Sequence, residues 1–321
     1  MSLLTKPMPI ATRRSPLALV QARDVQAKLA ACHGVSDADR EAAFPILGLV
    51  STGDRIQDRT LIEAGGKGLF TKEIDEAQLD GRAAFAVHSM KDVPTQWPEG
   101  LRLGAVLERE DPHDMLLARG GETRIADLPE GAVIGTASLR RQAQLLYARP
   151  DLKVVPIRGN VDTRLAKLQS GDIYATFLAK AGLNRLGREE AQADSLHRDE
   201  MLPAVAQGAV GVAVRVGDGD AEAVVKPLNH EKTELAISAE RAFLAALDGS
   251  CRTPIAANVN MESMDFIGEV LTPDGKTRWR EQGKLSMQTT QIEDFIKVGA
   301  DYGRAIREAA GDALLSVIES P

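Results

Sequence analysis

Apolar and polar positions switch between two periods along most of the chain. "MPIAT" reads as a strand, and "SPLALVQARDVQAKLAA" as a helix with Ser15 at the N-cap and Pro16 at the first helical position. "FPILGLVS" then reads as a strand, "FTKEIDEAQL" as a helix, and "AAFAVH" and "LRLGAVLE" as two further strands. Apolar strands alternating with helices predict a largely parallel α/β sheet. The pattern restarts near residue 114, where "DMLLA", "AVIGT", "LKVVPI" and "YATFLA" are strand-like and helices begin at about Ser138, Val161 and Ala181. "GAVGVAVRV" (208–216) reads as one more strand, placed to cross back and complete the first sheet. Two such α/β units leave a cleft between them, and ligands of these folds bind beyond the carboxyl ends of the strands.

After about residue 230 the pattern changes. "EKTELAISAERAFLAAL" is helical, with Leu235, Ala239, Phe243 and Leu247 on one face. "SMDFIGEVL", "TPDG" and "KTRWREQGKL" read as strand, turn and strand. The tail sets Ile292, Phe295, Tyr302, Ile306, Ala309 and Ala313 on one long helical stripe. A small α+β domain is expected here.

At 321 residues the chain exceeds what one core usually supports, which agrees with two or three domains. A hydrophobic share of 44% with 26% charged residues is that of an ordinary soluble globular protein. Cys32 and Cys251 make no disulfide framework, so a reducing cytoplasm is the simplest setting. Pro7 and Pro9 interrupt "MSLLTKPMPIATRR", which therefore lacks a signal-peptide core. No apolar run approaches the roughly 18 residues of a membrane span, and no membrane partner is expected. A net charge of −7 argues against nucleic acid as a partner. Arginine nevertheless clusters in "TRRS", "SLRRQ" and "PIRGNVDTRL". Such basic patches in an acidic chain suit a small anionic ligand, although the same arginines could simply solvate helix faces.

Several templates fail. In "AGGKGLF" Lys67 precedes Gly68 where a phosphate loop needs Ser or Thr. "AQGAVGVAV" has Ala206 where a dinucleotide fingerprint needs glycine. The five histidines show no zinc spacing, and no metal is expected. What remains is a device used three times: "ATRRSPLAL", "GTASLRRQAQ" and "PIRGNVDTRL" each run from a strand end into a helix N-terminus. Free N–H groups and the helix dipole favour an anion there, and arginine adds a carboxylate fork. In "AVHSMKDVPT", Lys91 and Asp92 either face the cleft or form a surface turn closed by Pro94. "DGSCRTPIA" places Cys251 in a polar loop, accessible and beside Arg252, which favours thiolate. Cys32, in "LAACHG", reads as a small core residue.

The segments "ATRRSPLAL", "GGKGLFTKE", "AVHSMKDVPT", "EREDPHD", "GTASLRRQ", "RGNVDTRL", "AGLNRLG", "LPAVAQGAVG", "SAERAFL" and "GSCRTPIA" occur in this order between about Ile10 and Ala256. In these ten motifs the chain resembles the porphobilinogen deaminase (hydroxymethylbilane synthase) family. The resemblance implies two periplasmic-binding-protein-like doubly wound α/β domains around a cleft, at residues 1–108 with 208–228 and at 113–203. A C-terminal α+β domain at 230–321 would carry the cofactor cysteine. It implies a cytoplasmic, monomeric transferase that joins four porphobilinogens head to tail, releasing ammonia. The growing chain sits on a dipyrromethane cofactor attached to Cys251 through a thioether. Asp92 matches the catalytic aspartate, which stabilises cationic pyrroles and shuttles protons.

Lys91, Asp92, Thr136, Ser138, Arg140, Arg141, Arg158 and Gly159 match positions that hold the cofactor. Arg13, Ser15, Arg158, Arg164, Arg185 and Gln207 match positions that bind the acetates and propionates of the substrate. "STGDRIQDRTLIEAGGKG" resembles a mobile loop that acts as a lid. Ala137, Ala206 and Glu63 depart from the family pattern, at a frequent serine, a usual glycine and an occasional lysine. The competing class is a non-catalytic two-lobed anion- or solute-binding module, which shares the same organisation.

Overall fold

The structure is a computed structural model that describes residues 6–55, 68–249, 253–285 and 291–319. Its strands are β1 (Ile10–Arg13), β2 (Ile46–Leu49), β3 (Phe85–Ser89), β4 (Leu101–Val106), β5 (Asp114–Ala118) and β6 (Val133–Gly135). They continue with β7 (Lys153–Val155), β8 (Ala175–Ala179), β9 (Val210–Arg215), β10 (Ile255–Asn260), β11 (Asp265–Leu271) and β12 (Arg278–Lys284). The chain divides into two compact units. Among the described residues, the first comprises 6–55, 68–109 and 209–234, and the second comprises 110–208, 235–249, 253–285 and 291–319.

The first unit is built on a sheet of order β2-β1-β3-β9-β4. β1 lies parallel to β2 and β3. β9 completes this sheet but runs antiparallel to both neighbours. It enters beside the end of β3, with Val210 opposite Ser89, so it can only run back along that strand. Successive residues of β1 serve opposite faces, as strand geometry requires. Ile10 packs with Val25, Leu29, Phe85 and Val212, while Ala11 packs with Ile74, Ala77, Ala86 and Ala213. The helix Pro16–Cys32 covers the first face and Lys72–Leu79 the second. Ser15 caps the former by accepting from the Ala18 N–H at 3.4 Å. Cys32 ends that helix exposed and reduced, not in the core. The helical stripe faces the sheet through Ala22, Val25 and Leu29; Cys32 continues its spacing but is the last residue of the helix, where burial ends.

In the second unit β5-β8-β6-β7 form a sheet in which β6 is parallel to β7 and β8, and β5 is antiparallel. Its core gathers Leu116, Ile134, Leu145, Phe177 and Met201. β10, β11 and β12 form an antiparallel meander. Sequence reading placed only the last two of these. β10 is buried on both faces and built largely of Ala and Asn, so it has neither alternation nor β-branched bias. Phe243, from the helix Glu231–Ala246, meets Phe266 edge-on at 5.4 Å, and Tyr302 stacks on Phe266 at 5.1 Å. At Gly299 a Cβ would lie 1.9 Å from the Ala239 carbonyl, so only glycine allows this helix crossing.

The single tail helix expected from the stripe is two helices. Ile292–Ala310 ends at Gly311, at φ 51°, and Asp312–Glu319 follows. Ala310 is buried and Ala309 exposed, so the stripe shifts by one position at its end.

The meander docks on the helix Leu139–Ala148. Gln142 Nε2 donates to the Pro273 carbonyl at 3.2 Å, and the Arg278 guanidinium lies 4.4 Å over the Tyr147 ring. Arg198 forks onto Asp265 at 2.6 and 2.8 Å. The helix carrying Arg140 and Arg141 is thereby held from the C-terminal side.

Candidate functional site

In the first unit, β3 delivers the chain into a tight turn, Met90–Asp92. Met90 is buried and its N–H donates to the Ala209 carbonyl at 3.0 Å, which ties the turn to the start of β9. Lys91 and Asp92 are half-buried on this turn. Asp92 Oδ2 lies 3.6 Å from Arg13 Nη1 at the end of β1. Arg13 is held on its other edge, where Nη2 donates to Asp54 Oδ1 at 2.5 Å and Nε to Oδ2 at 3.2 Å. Phe70 lies under its guanidinium at 4.4 Å. Burial works against the Arg13 charge, but the hydrogen bond to Asp54 and the attraction of Asp92 and Asp54 outweigh it and raise its pKa. Ser51 Oγ donates to Asp54 at 2.7 Å. Asp54 escaped sequence reading because it sits in the segment read as a lid, of which residues 56–67 lie outside the described residues.

Behind the turn, His88 Nε2 lies 3.7 Å from Asp75 Oδ1, and both side chains are buried. Trp97 meets the His88 ring edge-on at 6.2 Å. Burial, and then the charge of Arg13, push His88 down to about 4. Asp75 is pushed up to about 6, by burial first, against a hydrogen bond from Thr71. Neither residue carried a signal beyond an apolar strand and a helix face.

In the second unit the arginine-rich helix starts have capped geometry. Thr136 is buried; its N–H donates to the Val155 carbonyl at 2.9 Å and its hydroxyl accepts from the Ser138 N–H at 3.1 Å. Ser138 then caps Leu139–Ala148 by accepting from the Arg141 N–H at 3.4 Å. Asn160 caps Val161–Ser170 through the Thr163 N–H at 2.9 Å. Gly159, at φ 116°, precedes it, and a Cβ there would strike Thr163 at 2.6 Å. Each cap satisfies one N–H of its helix and leaves the adjacent arginines as the charged groups of the turn.

Arg140 and Arg141 are buried and share one carboxylate, Asp114. Arg158 is half-buried at the end of the segment after β7. Arg164 donates from Nε to the Gly159 carbonyl at 3.1 Å. Burial first, and then the like charges of Arg141 and Arg158, push Arg164 down to about 10. Positive charge is therefore crowded around Arg141, and bound carboxylates would relieve that crowding.

Arg185 Nη2 donates to the Gly208 carbonyl at 2.7 Å, and Gln207 Nε2 donates to Asp114 Oδ1 at 2.8 Å and the Pro112 carbonyl at 2.7 Å. Thr136, Ser138, Arg140, Arg141, Arg158, Gly159, Arg164, Arg185 and Gln207 thus fall in one compact unit, and Arg13, Ser15, Lys91 and Asp92 in the other. Cys251 lies outside the described residues. Its flanks belong to the second unit, where Gly249 donates to the Leu244 carbonyl at 3.0 Å and Thr253 is buried before β10.

Two doubly wound α/β sheets, one in each compact unit, and a docked antiparallel meander define an α/β protein whose arginine-flanked helix starts are capped. Within that class the chain belongs to the porphobilinogen deaminase family. The family model "Porphobilinogen deaminase, dipyromethane cofactor binding domain" matches residues 8–223, and "Porphobilinogen deaminase, C-terminal domain" matches residues 234–308. The chain is 48% identical over 313 residues to the chloroplastic porphobilinogen deaminase of Oryza sativa subsp. japonica, covering 97% of this chain and 86% of that one. It is 48% identical over 313 residues to the porphobilinogen deaminase of Phenylobacterium zucineum, covering 95% and 97%. Among solved structures, a periplasmic binding protein from Brucella ovis with glutathione bound matches 75% of this chain and 69% of its own, at 15% identity and a TM-score of 0.39.

Proposed function

We propose that this chain condenses four porphobilinogens into hydroxymethylbilane, with Asp92 as its catalytic carboxylate and Cys251 as the covalent anchor of a dipyrromethane cofactor. Family membership over both matched segments supports the reaction. The observation that carries the site is the positive charge of Arg158 and Arg164 gathered about Arg141, which shares one carboxylate with Arg140. This donor set fits a cofactor whose rings bear acetates and propionates. When bound, the cofactor supplies the nucleophilic pyrrole carbon that receives each new ring.

The chain's own residues do the rest. Arg140, Arg141 and Arg158 hold cofactor carboxylates with Thr136, Ser138 and Gly159 in the same unit, and Lys91 is assigned to the cofactor as well. Arg13, Ser15, Arg164, Arg185 and Gln207 serve the incoming substrate. A charge-assisted hydrogen bond contributes roughly 1.5–3 kcal/mol, so a few of them suffice to hold a polycarboxylate. Asp92 accepts pyrrole N–H groups, stabilises positive charge on the rings and moves the proton lost from each new ring. Arg13 lies 3.6 Å from Asp92 and places it, and Asp54 in turn holds Arg13.

Among the described residues no helix is long and apolar enough to cross a membrane. A cytoplasmic monomer is the state we propose. Incubation with porphobilinogen tests the reading. Ammonia and hydroxymethylbilane should appear in a ratio of four to one. A saturable complex without ammonia would instead mark a binding module.

A further inference from the structure

Asp114 closes the motif "EREDPHD" and has no part in the roles above. It opens β5 opposite Ala179 and is fully buried. Its Oδ1 accepts from Arg141 Nη2 at 2.8 Å and from Gln207 Nε2 at 2.8 Å. Its Oδ2 accepts from Arg140 Nη2 at 2.6 Å and from Arg141 Nε at 3.3 Å. A carboxylate offers about four lone-pair sites, so these four donors saturate it. Burial opposes its charge, but Arg140 and Arg141 outweigh burial and hold the carboxyl well below the usual range.

We propose that Asp114 is the positioning residue of the carboxylate-binding site, fixing the guanidinium plane of Arg141 and leaving the arginine pair one net positive charge to offer a ligand. The proposal rests on the assignment of Arg140 and Arg141 to ligand carboxylates. Two N–H groups of Arg141 meet both oxygens of Asp114, which sets the ring of donors in one plane. Arg141 Nη1 donates to the Phe177 carbonyl at 2.9 Å and Arg140 Nη1 to the Leu202 carbonyl at 2.6 Å. Those carbonyls orient the guanidiniums without offsetting their charge. Burial first lowers the Arg140 pKa and Arg141 lowers it further, while Asp114 and, more weakly, Glu269 oppose both. Without Asp114, two buried like charges would face each other, and one guanidinium would have to turn out of the site. Gln207 reaches the same carboxylate from the chain that crosses back toward β9, so Asp114 also links that segment to the arginines.

Wild type, Asp114→Asn, Asp114→Glu and Arg141→Leu are purified in parallel. Intact mass after denaturation gives the fraction carrying cofactor, and the loaded fraction is assayed for KM and thermal midpoint. Asp114→Asn should be loaded to less than half, and its loaded fraction should show KM raised roughly tenfold, the effect of losing about one charge-assisted contact. A merely structural Asp114 would lower the midpoint and leave KM and loading within twofold of wild type, and that result overturns the proposal. If Asp114→Asn gives no folded protein, Asp114→Glu decides, since it keeps the charge and displaces it by one methylene. A folded Asp114→Glu with raised KM supports positioning; one with KM and loading within twofold of wild type overturns it. Arg141→Leu with normal loading and KM overturns the arginine assignment, and the proposal with it. An impaired Arg141→Leu beside an unaffected Asp114→Asn overturns Asp114 alone.

Discussion

Glu240 Oε2 accepts the backbone N–H of Ala206 at 2.7 Å, while its other oxygen accepts from the Val259 N–H at 2.9 Å. A fully buried carboxylate of the helix Glu231–Ala246 thus ties β10 to the segment that presents Gln207. Ala206 sits at φ 57°, a conformation that costs an alanine about 1–2 kcal/mol and glycine little. The departure from the family's glycine therefore carries strain, and the bond to Glu240 offsets it. Ala206→Gly should raise stability by up to about 1 kcal/mol, once the added freedom of the unfolded chain is counted. Glu240→Gln should lower stability by about 1–3 kcal/mol, because one buried N–H loses its charged acceptor. Denaturant midpoints at constant slope check both.

Asp92→Asn keeps the size of the turn and removes its charge. Turnover should fall roughly 10²–10⁴-fold if Asp92 does the proton work. The thermal midpoint should stay close to wild type, since the Arg13 contact is long and Asp54 still holds that arginine. Near-normal turnover would return Asp92 to the role of a surface turn.

The buried pair His88 and Asp75 sets opposing pH dependences. With a folded pKa of about 4 against an ordinary 6.5, His88 takes up its proton more readily in the unfolded chain. Its contribution therefore weakens the fold as pH drops from 6.5 to 4, by about 3 kcal/mol in full. Asp75, at about 6 against 3.8, binds its proton more readily when folded. Its contribution strengthens the fold as pH drops from 6 to 3.8, by a similar amount. The two largely cancel between pH 6 and 4. Asp75→Asn removes the second and leaves the first, so its midpoint relative to wild type should shift downward as pH falls through that window. A constant offset at pH 7, 6, 5 and 4 would contradict the raised pKa of Asp75.

Cys251→Ser should give protein at bare sequence mass and without deaminase activity. Cys32→Ser should keep both adduct and activity, because Cys32 lies exposed at the end of a helix in the other unit. An adduct that survives Cys251→Ser would move the anchor elsewhere.

Most elements were legible because their burial follows strict periods. β1 alternates between two cores, and Ser15 with Pro16 marks a helix start that the structure reproduces. β10 was not legible, since Ala256, Ala257 and Asn258 are buried without any alternation to betray them. The long tail helix failed at Gly311, a helix end that outweighed the continuing apolar spacing. The arginine clusters were visible as local charge, but the carboxylates that organise them were not. Asp114 and Asp54 lie 26 and 41 residues from Arg140 and Arg13, and contacts that distant leave no local pattern. Cys32 misled for a different reason: it keeps the spacing of the buried stripe, but the helix ends at it and leaves it exposed.

The proposed function requires that the product grow while bound covalently to this chain. Protein mixed with limiting porphobilinogen, denatured and weighed intact tests it most directly. Successive species should differ by one substrate minus ammonia, starting from a mass that exceeds the sequence by two linked pyrroles. Each step adds two carboxylates that are ionised near neutral pH, so the species should also elute progressively later on anion exchange. Denatured protein at one unchanging mass, under conditions in which hydroxymethylbilane is being made, would contradict growth on the enzyme.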